Sequence, residues 1–162
     1  MRKMIFVIGI QGSGKSTFIE KNYADHKKFH VMDLFQESMA RFGTLQPVLD
    51  GFRVEDNDAF IELYNEIPWE AFMAFEDDKT VVVECPVVSE GTSPFMDLIY
   101  QAKDLGIETQ VIFLTVEPAE AIQRVREAGS AYRSSAQIWE EQLDALEFLL
   151  DHCKRNKAGH LG

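Results

Sequence analysis

The chain is poor in cysteine: its 162 residues include two, Cys85 and Cys153, which lie far apart in the sequence. No C-x-x-C spacing occurs, which excludes the zinc and redox motifs built on that pattern. We expect the four histidines to be exposed or structural. We therefore predict two free, mostly buried thiols in a reducing cytosol.

Long hydrophobic runs and excess positive charge are also missing. The longest apolar stretch, 4–10, is too short to span a bilayer, and no small-residue cleavage signal follows it. Lys and Arg number 16 against 27 Asp and Glu, a formal charge of −11. Coating nucleic acid or binding an anionic membrane requires a basic surface, so the composition argues against both. We expect a soluble, cytoplasmic protein without bulk nucleic-acid binding, although local arginines could still hold a nucleic-acid end.

The chain does contain an alternation of apolar strands with helices. Its length fits a single domain over 1–162. Strands that are apolar throughout need helices on both faces of a parallel sheet. The predicted fold class is therefore α/β: three layers around a mainly parallel sheet of four to five strands. Four strands are predicted, at 4–8, 29–32, 80–84 and 109–114.

Helices are predicted between these strands from apolar periodicity and capping residues. Asn57 should cap a helix running towards Glu76, which Pro68 should kink or split. No element is predicted from 43 to 56, where glycine and proline interrupt the pattern. The other helices are predicted at 15–23, 33–41, 94–105, 118–128, and from a capping box at 134 onwards.

Acidic charge is concentrated in one segment, 50–78, with ten Asp and Glu and one basic residue, Arg53. A solvated helix face explains such a run, and so does a docking surface for a basic protein partner. Arg53 could pair with Glu55 or Asp56 within the segment, or it could meet an anionic substrate. The sequence leaves these alternatives open.

One motif carries specific chemistry. Residues 9–17 read GIQGSGKST and contain G-x-x-x-x-G-K-S in full, between a predicted strand and a predicted helix. Glycines let backbone N–H groups converge on an anion, and a helix N-terminus adds partial positive charge. Lys15 would contact the β- and γ-phosphates, and the Ser16 hydroxyl would bind Mg²⁺. The predicted nucleotide-binding residues are Gly9, Gln11, Gly12, Ser13, Gly14, Lys15, Ser16 and Thr17.

This motif resembles that of the P-loop NTPases. The N-K-x-D motif with which a GTPase reads its base is missing, since the nearest text, at 156–159, is NKAG. The chain resembles the P-loop small-molecule kinases, and within them the zeta-toxin-like and polynucleotide-kinase-like group. That group has an Asp ending the second strand, an acidic residue closing the third, and a proline-started helix leading to an arginine-bearing lid. The matching residues are Asp33, Glu84, Pro118 and the arginines between 124 and 133.

Two carboxylates are the candidates for work on the acceptor and the metal. Asp33 follows a strand end, where it could orient an acceptor hydroxyl or take its proton. It could instead cap the following helix, or do both. Glu84 could hold Mg²⁺ through water or contact the acceptor, or it could be an ordinary residue at a strand end. The family's Asp-x-x-Arg is absent, because Gln36 stands in the arginine's place.

The resemblance implies a lid over 124–135 whose arginines cover phosphate charge. Arginine suits charge that spreads in a transition state, and a lid can bring it in when substrate binds. Arg124 and Arg126 are two apart on a helix, so we expect one of them at most to reach the phosphates. We assign Arg124 and Arg133 to catalysis, together with Lys15 and Asp33, and Arg126 to the nucleotide.

The predicted function is an ATP- and Mg²⁺-dependent phosphotransferase that moves the γ-phosphoryl group to a hydroxyl. The acceptor would be a small molecule, a nucleotide sugar or a nucleic-acid end. One alternative is a regulatory module that binds nucleotide, hydrolyses it weakly, and docks a protein on the acidic segment. Another is a toxin-type kinase of a cell-wall precursor sugar, with an antitoxin partner.

Overall fold

The structure is a computed structural model that describes residues 2–10, 13–50, 55–87, 93–114, 120 and 123. Several predictions lie outside these residues. They include most of the predicted helix at 118–128, the lid, the last helix, and the residues Gln11, Gly12, Arg53, Arg124, Arg126, Arg133 and Cys153.

Strands and helices alternate along the described part of the chain. In order, the elements are β1 (Lys3–Ile10), α1 (Lys15–Asn22), β2 (Phe29–Asp33), α2 (Leu34–Phe42), α3 (Gln46–Asp50), α4 (Asp58–Glu76), β3 (Thr80–Val87), α5 (Ser93–Asp104) and β4 (Glu108–Leu114).

The four described strands form one parallel sheet in the order β2-β3-β1-β4. This confirms the predicted α/β fold class. The strand that carries Glu84, β3, lies beside β1. Because the strands are parallel, their carboxyl ends all lie along one edge of the sheet, here called the carboxyl edge. Ligands of open α/β sheets bind at this edge.

The sheet is buried on both faces, as its apolar strands require. On one face, Met4, Phe6 and Ile8 of β1 pack in a core with α4 and α5. On the other, Ile5 and Val7 pack with Ile19 of α1. This alternation follows the two-residue period of a strand, so each face of β1 contributes to a different core.

Three predicted elements differ from the structure. The segment from 43 to 56 contains the short helix α3, which was not predicted. Helix α4 is continuous through Pro68 and is not split, because buried residues on both sides, Ile67 and Ala71, anchor it to the core. Strand β3 continues to Val87 and does not end at Glu84. A proline is uncommon inside a sheet, yet Pro86 stays in register with Gly9.

Local signals explain where the helices begin and end. Asn57 caps α4 by accepting a hydrogen bond from the backbone N–H of Phe60 at 3.3 Å, as predicted. Helix α2 ends at Gly43, whose φ of 70° suits glycine. No helix in the described part is long and apolar enough to cross a membrane.

Candidate active site

The turn after β1 delivers a helix N-terminus to the carboxyl edge. Gly14 has a φ of 90°, a left-handed conformation that favours glycine, and α1 begins at the next residue, Lys15. No side chain caps this helix within the described residues. Its first N–H groups therefore face the carboxyl edge, where an anion can accept from them.

Gly9 is required by close packing. A Cβ atom at this position would overlap the Ser13 hydroxyl and would lie 3.1 Å from the carbonyl oxygen of Leu114. Ser13 is itself buried, and its Oγ has no hydrogen-bond partner among the described residues. A buried hydroxyl without a partner is costly, so this atom is suited to an acceptor that a ligand brings.

Lys15 is buried at the start of α1, with its side chain directed back to the strand. Its Nζ donates a hydrogen bond to the carbonyl oxygen of Gly9 at 2.7 Å. Burial lowers the pKa of Lys15 to about 8, although attraction to Glu84 and Asp33 acts in the opposite direction. The ammonium group thus remains mainly protonated near pH 7, in a place where water competes little for its charge.

Glu84 lies on β3 beside both neighbouring strands, in register with Val7 of β1 and Asp33 of β2. The Ser16 hydroxyl donates to its Oε1 at 3.3 Å. Burial, the nearby Asp33 carboxylate and a hydrogen bond with it raise the pKa of Glu84 to about 7, whereas Lys15 and Ser16 lower it. The carboxyl group therefore titrates near neutral pH.

Asp33 is the last residue of β2 and also the N-cap of α2. Its Oδ1 accepts a hydrogen bond from the backbone N–H of Gln36 at 3.2 Å. The capping role left open by the sequence is therefore present. One carboxylate oxygen remains beside Glu84, so capping does not prevent the group from contacting an acceptor.

The structure thus brings together Lys15, Ser16, Asp33 and Glu84 at the carboxyl edge. Thr17 follows on α1 and is exposed. The sequence did not predict that Asp33 and Glu84 are adjacent, because that depends on the register of β2 against β3. It also gave no role to Cys85, which is buried next to Glu84 and whose thiol pKa burial raises.

The residues present fit a nucleoside triphosphate and a hard cation. The unpartnered Ser13 hydroxyl, the buried Lys15 and the uncapped helix N-terminus suit a phosphate chain. Ser16 and Glu84 supply one hydroxyl and one carboxylate, which is enough for Mg²⁺ because that ion keeps several waters. The described residues contain no cluster of three or more His, Cys, Asp or Glu that could hold a metal alone.

Sequence comparison does not identify a family. No protein-family model matches the chain, and no curated protein sequence matches it at a significant level.

Comparison with solved structures identifies the fold. A chain of the Pnkp1/Rnl/Hen1 RNA repair complex has a TM-score of 0.69 at 13% identity, with 93% of this chain and 46% of that chain covered. A second structure of the Pnkp1/Rnl/Hen1 complex gives 0.60 at 13% identity, with 76% and 38% covered. Shikimate kinase from Bacteroides thetaiotaomicron gives 0.57 at 20% identity, with 98% and 85% covered.

The chain therefore spans less than half the length of the repair-complex chains and most of the shikimate kinase. Strand order and parallel direction agree with these structures along the described sheet. The protein has the three-layer fold of the P-loop kinases.

Proposed function

We propose that the protein is an ATP- and Mg²⁺-dependent kinase that transfers the γ-phosphoryl group of ATP to a hydroxyl group. The observation that carries this proposal is the juxtaposition of Lys15, at the start of α1, with the Glu84 and Asp33 carboxyl groups of two adjacent strands. A site of this composition can hold a polyphosphate, its cation and an acceptor proton.

The turn between β1 and α1 would bind the triphosphate. Lys15 is a compact cation in a buried position, so it can offset phosphate charge without competition from water. The Ser13 hydroxyl would donate to a phosphate oxygen, which would satisfy a group that otherwise lacks a partner. Gln11 and Gly12 of the motif complete the proposed binding loop.

The metal would be held by Ser16 and, through water, by Glu84. Bound Mg²⁺ neutralises charge that develops on transferring phosphate oxygens. The hydrogen bond between Ser16 and Glu84 already orients the two groups towards one another. Lid arginines Arg124 or Arg126, with Arg133, would add charge from the other side.

Asp33 would orient the acceptor hydroxyl and accept its proton. As the cap of α2, its carboxylate is fixed in position rather than free to rotate. Phosphoryl transfer needs mainly such positioning and charge neutralisation, and little covalent chemistry from the protein. The kinase folds found by comparison suggest the first two acceptors to try, shikimate and RNA with a free terminal hydroxyl.

Two variants test this proposal with labelled ATP and a panel of shikimate, RNA ends, nucleosides and nucleotide sugars. Lys15→Ala should weaken nucleotide binding at least about tenfold and reduce turnover on the order of 10²-fold or more. Asp33→Asn should keep nucleotide affinity within about threefold while transfer falls on the order of 10²-fold or more. Asparagine caps helices as well as aspartate does, so this variant isolates the charge.

Lys21→Ala is the matched control for Lys15→Ala, because Lys21 is an exposed lysine in the last turn of the same helix. It should bind nucleotide like the wild type. If the Asp33→Asn variant transfers phosphate at the wild-type rate, the role of Asp33 is wrong. If label from the wild type appears only as free phosphate with every acceptor, the protein hydrolyses nucleotide and the kinase proposal is wrong.

A further inference from the structure

A second surface lies at the opposite edge of the sheet. Between α4 and α5 there is an open groove with an internal volume of about 50 Å³, whose floor includes Met4 and Ile107 near the amino ends of β1 and β4. The wall from α4 includes Phe72 and Phe75, and the wall from α5 includes Leu98. It is therefore separate from the site at the carboxyl edge.

Large apolar side chains are exposed along this groove. Leu105 and Phe72 line it and are 67% and 42% exposed. Trp69 precedes Phe72 by three residues on α4, so it continues the same ridge, and it is 73% exposed. A tryptophan and a leucine that are this exposed beside an apolar groove are typical of an interaction site rather than of free surface.

Acidic residues flank the groove. Helices α4 and α5 together carry seven carboxylates and one lysine, Lys103, although three of the seven pair with Arg41 or His30. Asp97 and Asp104 lie four residues before and three after Gln101, which lines the groove, so they share its ridge on α5. Glu76 follows Phe72 by four residues on α4. None of these three carboxylates makes a salt bridge within the described part of the chain.

A positive charge also lies at the groove. The guanidinium of Arg2 lies over the rings of Phe72 and Phe75, 5.5 and 5.6 Å from their centroids, so it offsets part of the charge of the three carboxylates. Lys103 is two residues from Gln101 on α5, which places it on another side of the helix.

We propose that this groove is a docking site for a basic amphipathic helix of a partner protein. An apolar stripe of that helix would fill the groove over Trp69 and Leu105, and its lysines or arginines would meet Asp97, Asp104 and Glu76. This is the mode in which an amphipathic helix lies in an apolar groove. The proposal is independent of the proposed function, because the two surfaces share no residue.

Charge decides between the candidate occupants. A second copy would bring the same acidic walls, and the chain has a formal charge of −11. The chain's own segment 134–157 carries five Asp and Glu against three basic residues at its end, Lys154, Arg155 and Lys157, so its net charge of −2 does not make it a basic helix. Gln101 is the polar side chain in the described lining, whereas small-molecule pockets need several converging polar groups. A basic helix is the occupant that complements both the apolar floor and the acidic walls.

Two synthetic peptides test the proposal on the full chain. Each has about 18 residues, enough to form a helix, with leucine at helical spacing and either lysine or glutamate elsewhere. Tryptophan emission reports binding at Trp69 when the other tryptophan, Trp139, is replaced by phenylalanine. The lysine peptide should shift this emission to shorter wavelength and should bind at least about tenfold tighter than the glutamate peptide, with the preference shrinking at high salt.

Variants test whether the lysine peptide binds at the groove. Leu105→Ser should weaken the lysine peptide at least about tenfold, and Asp97→Asn with Asp104→Asn should reduce the preference for lysine over glutamate. Met39→Ala is the matched control, because Met39 is a 49% exposed apolar residue on α2 outside the groove. It should bind the peptide as the Trp139→Phe chain does. Nucleotide affinity should be unchanged in all of them.

Three results would overturn the proposal. One is equal binding of the two peptides, or no binding of either. The second is Trp69 emission that is already shifted to shorter wavelength without peptide, which would mean that the chain covers its own groove. The third is a dimer in sedimentation that Leu105→Ser dissociates, which would assign the groove to a second copy. None of these outcomes bears on whether the site at the carboxyl edge binds ATP.

Discussion

Single residues in the candidate site show how burial acts on opposite charges. Burial disfavours the ammonium of Lys15 and the carboxylate of Glu84 alike, and their mutual attraction offsets part of each penalty. Asp33 adds negative charge beside Glu84, which raises the pKa of Glu84 further. Opposite charges that are this costly to bury are typical of a functional site rather than of a stabilising contact.

The titration of Glu84 predicts how stability depends on pH. Its pKa is about 7 in the folded protein, against 4.5 for an unperturbed glutamate. Between these values the folded chain holds a proton that the unfolded chain has released, so the free energy of unfolding falls as pH rises. Urea unfolding at about pH 5 and about pH 7.5 should therefore show Glu84→Gln gaining stability relative to the wild type at the higher pH.

Lys15 acts with the opposite sign above that range. Its pKa is about 8 in the folded protein, against 10.5 for an unperturbed lysine, so the free energy of unfolding should rise again with pH between these values.

Glu20→Gln is the control for Glu84→Gln, because Glu20 is an exposed glutamate on α1. A stability difference between Glu84→Gln and the wild type that is the same at both pH values would contradict the assigned titration.

Elements of this fold depend on a few backbone positions at their ends. Helix α2 begins at the Asp33 cap and ends at Gly43, where Ser38 donates to the carbonyl oxygen of Thr44 at 2.7 Å. Gly43 has a positive φ, and no atom would contact a side chain added there. The backbone conformation alone thus requires glycine at this point.

Gly43→Ala should therefore destabilise the protein by about 1 kcal/mol, through strain in the left-handed conformation. Gly43→Asn should lose less, because asparagine tolerates this conformation better than alanine does. Thermal unfolding of both variants beside the wild type measures the difference. An alanine variant as stable as the wild type would show that the chain relaxes at this position without cost.

The sequence predicted those elements whose signals are local. Strand β3 begins with the β-branched run 80–83, β4 ends with the apolar run 111–114, and Asn57 marks the start of α4. Helix α3 was missed because five residues containing Pro47 give no periodicity. The end of β3 was placed too early, since pairing with β1 keeps Pro86 in the sheet. These pairings are contacts between distant parts of the chain, and a local pattern does not contain them.

The same division holds for the candidate site. Lys15 and Ser16 were predicted from a motif whose residue spacing reflects the local geometry of the turn. The proximity of Asp33 to Glu84 was not predicted, because it follows from the register of two strands that are far apart in sequence. The cap on α2 was predicted as one of two roles for Asp33, and the structure shows this cap.

Over the whole molecule, negative charge is distributed unevenly. The chain has a formal charge of −11, and ten of its acidic residues lie in 50–78. Arg41 lies among three of the carboxylates near this region, forming salt bridges with Glu37, Glu62 and Glu66. These side chains are partly exposed, so each pair contributes little, and the remaining repulsion opposes the compact state.

Salt should therefore stabilise the protein. Raising NaCl from about 20 mM to about 300 mM shortens the screening length, and we expect the melting temperature to rise by about 2–4 °C. Arg41→Gln should melt below the wild type at low salt, with a gap that narrows at high salt. A melting temperature that stays level or falls with NaCl would show that self-repulsion is not significant for this fold.

The parallel direction of the strands has a consequence for how the protein could work inside a larger assembly. Strand β1 is eight residues long, so about 25 Å separates the carboxyl edge from the opposite edge of the sheet. A partner bound at the opposite edge therefore leaves the candidate site open. Such a partner could localise the protein beside its substrate through many turnovers without obstructing the site.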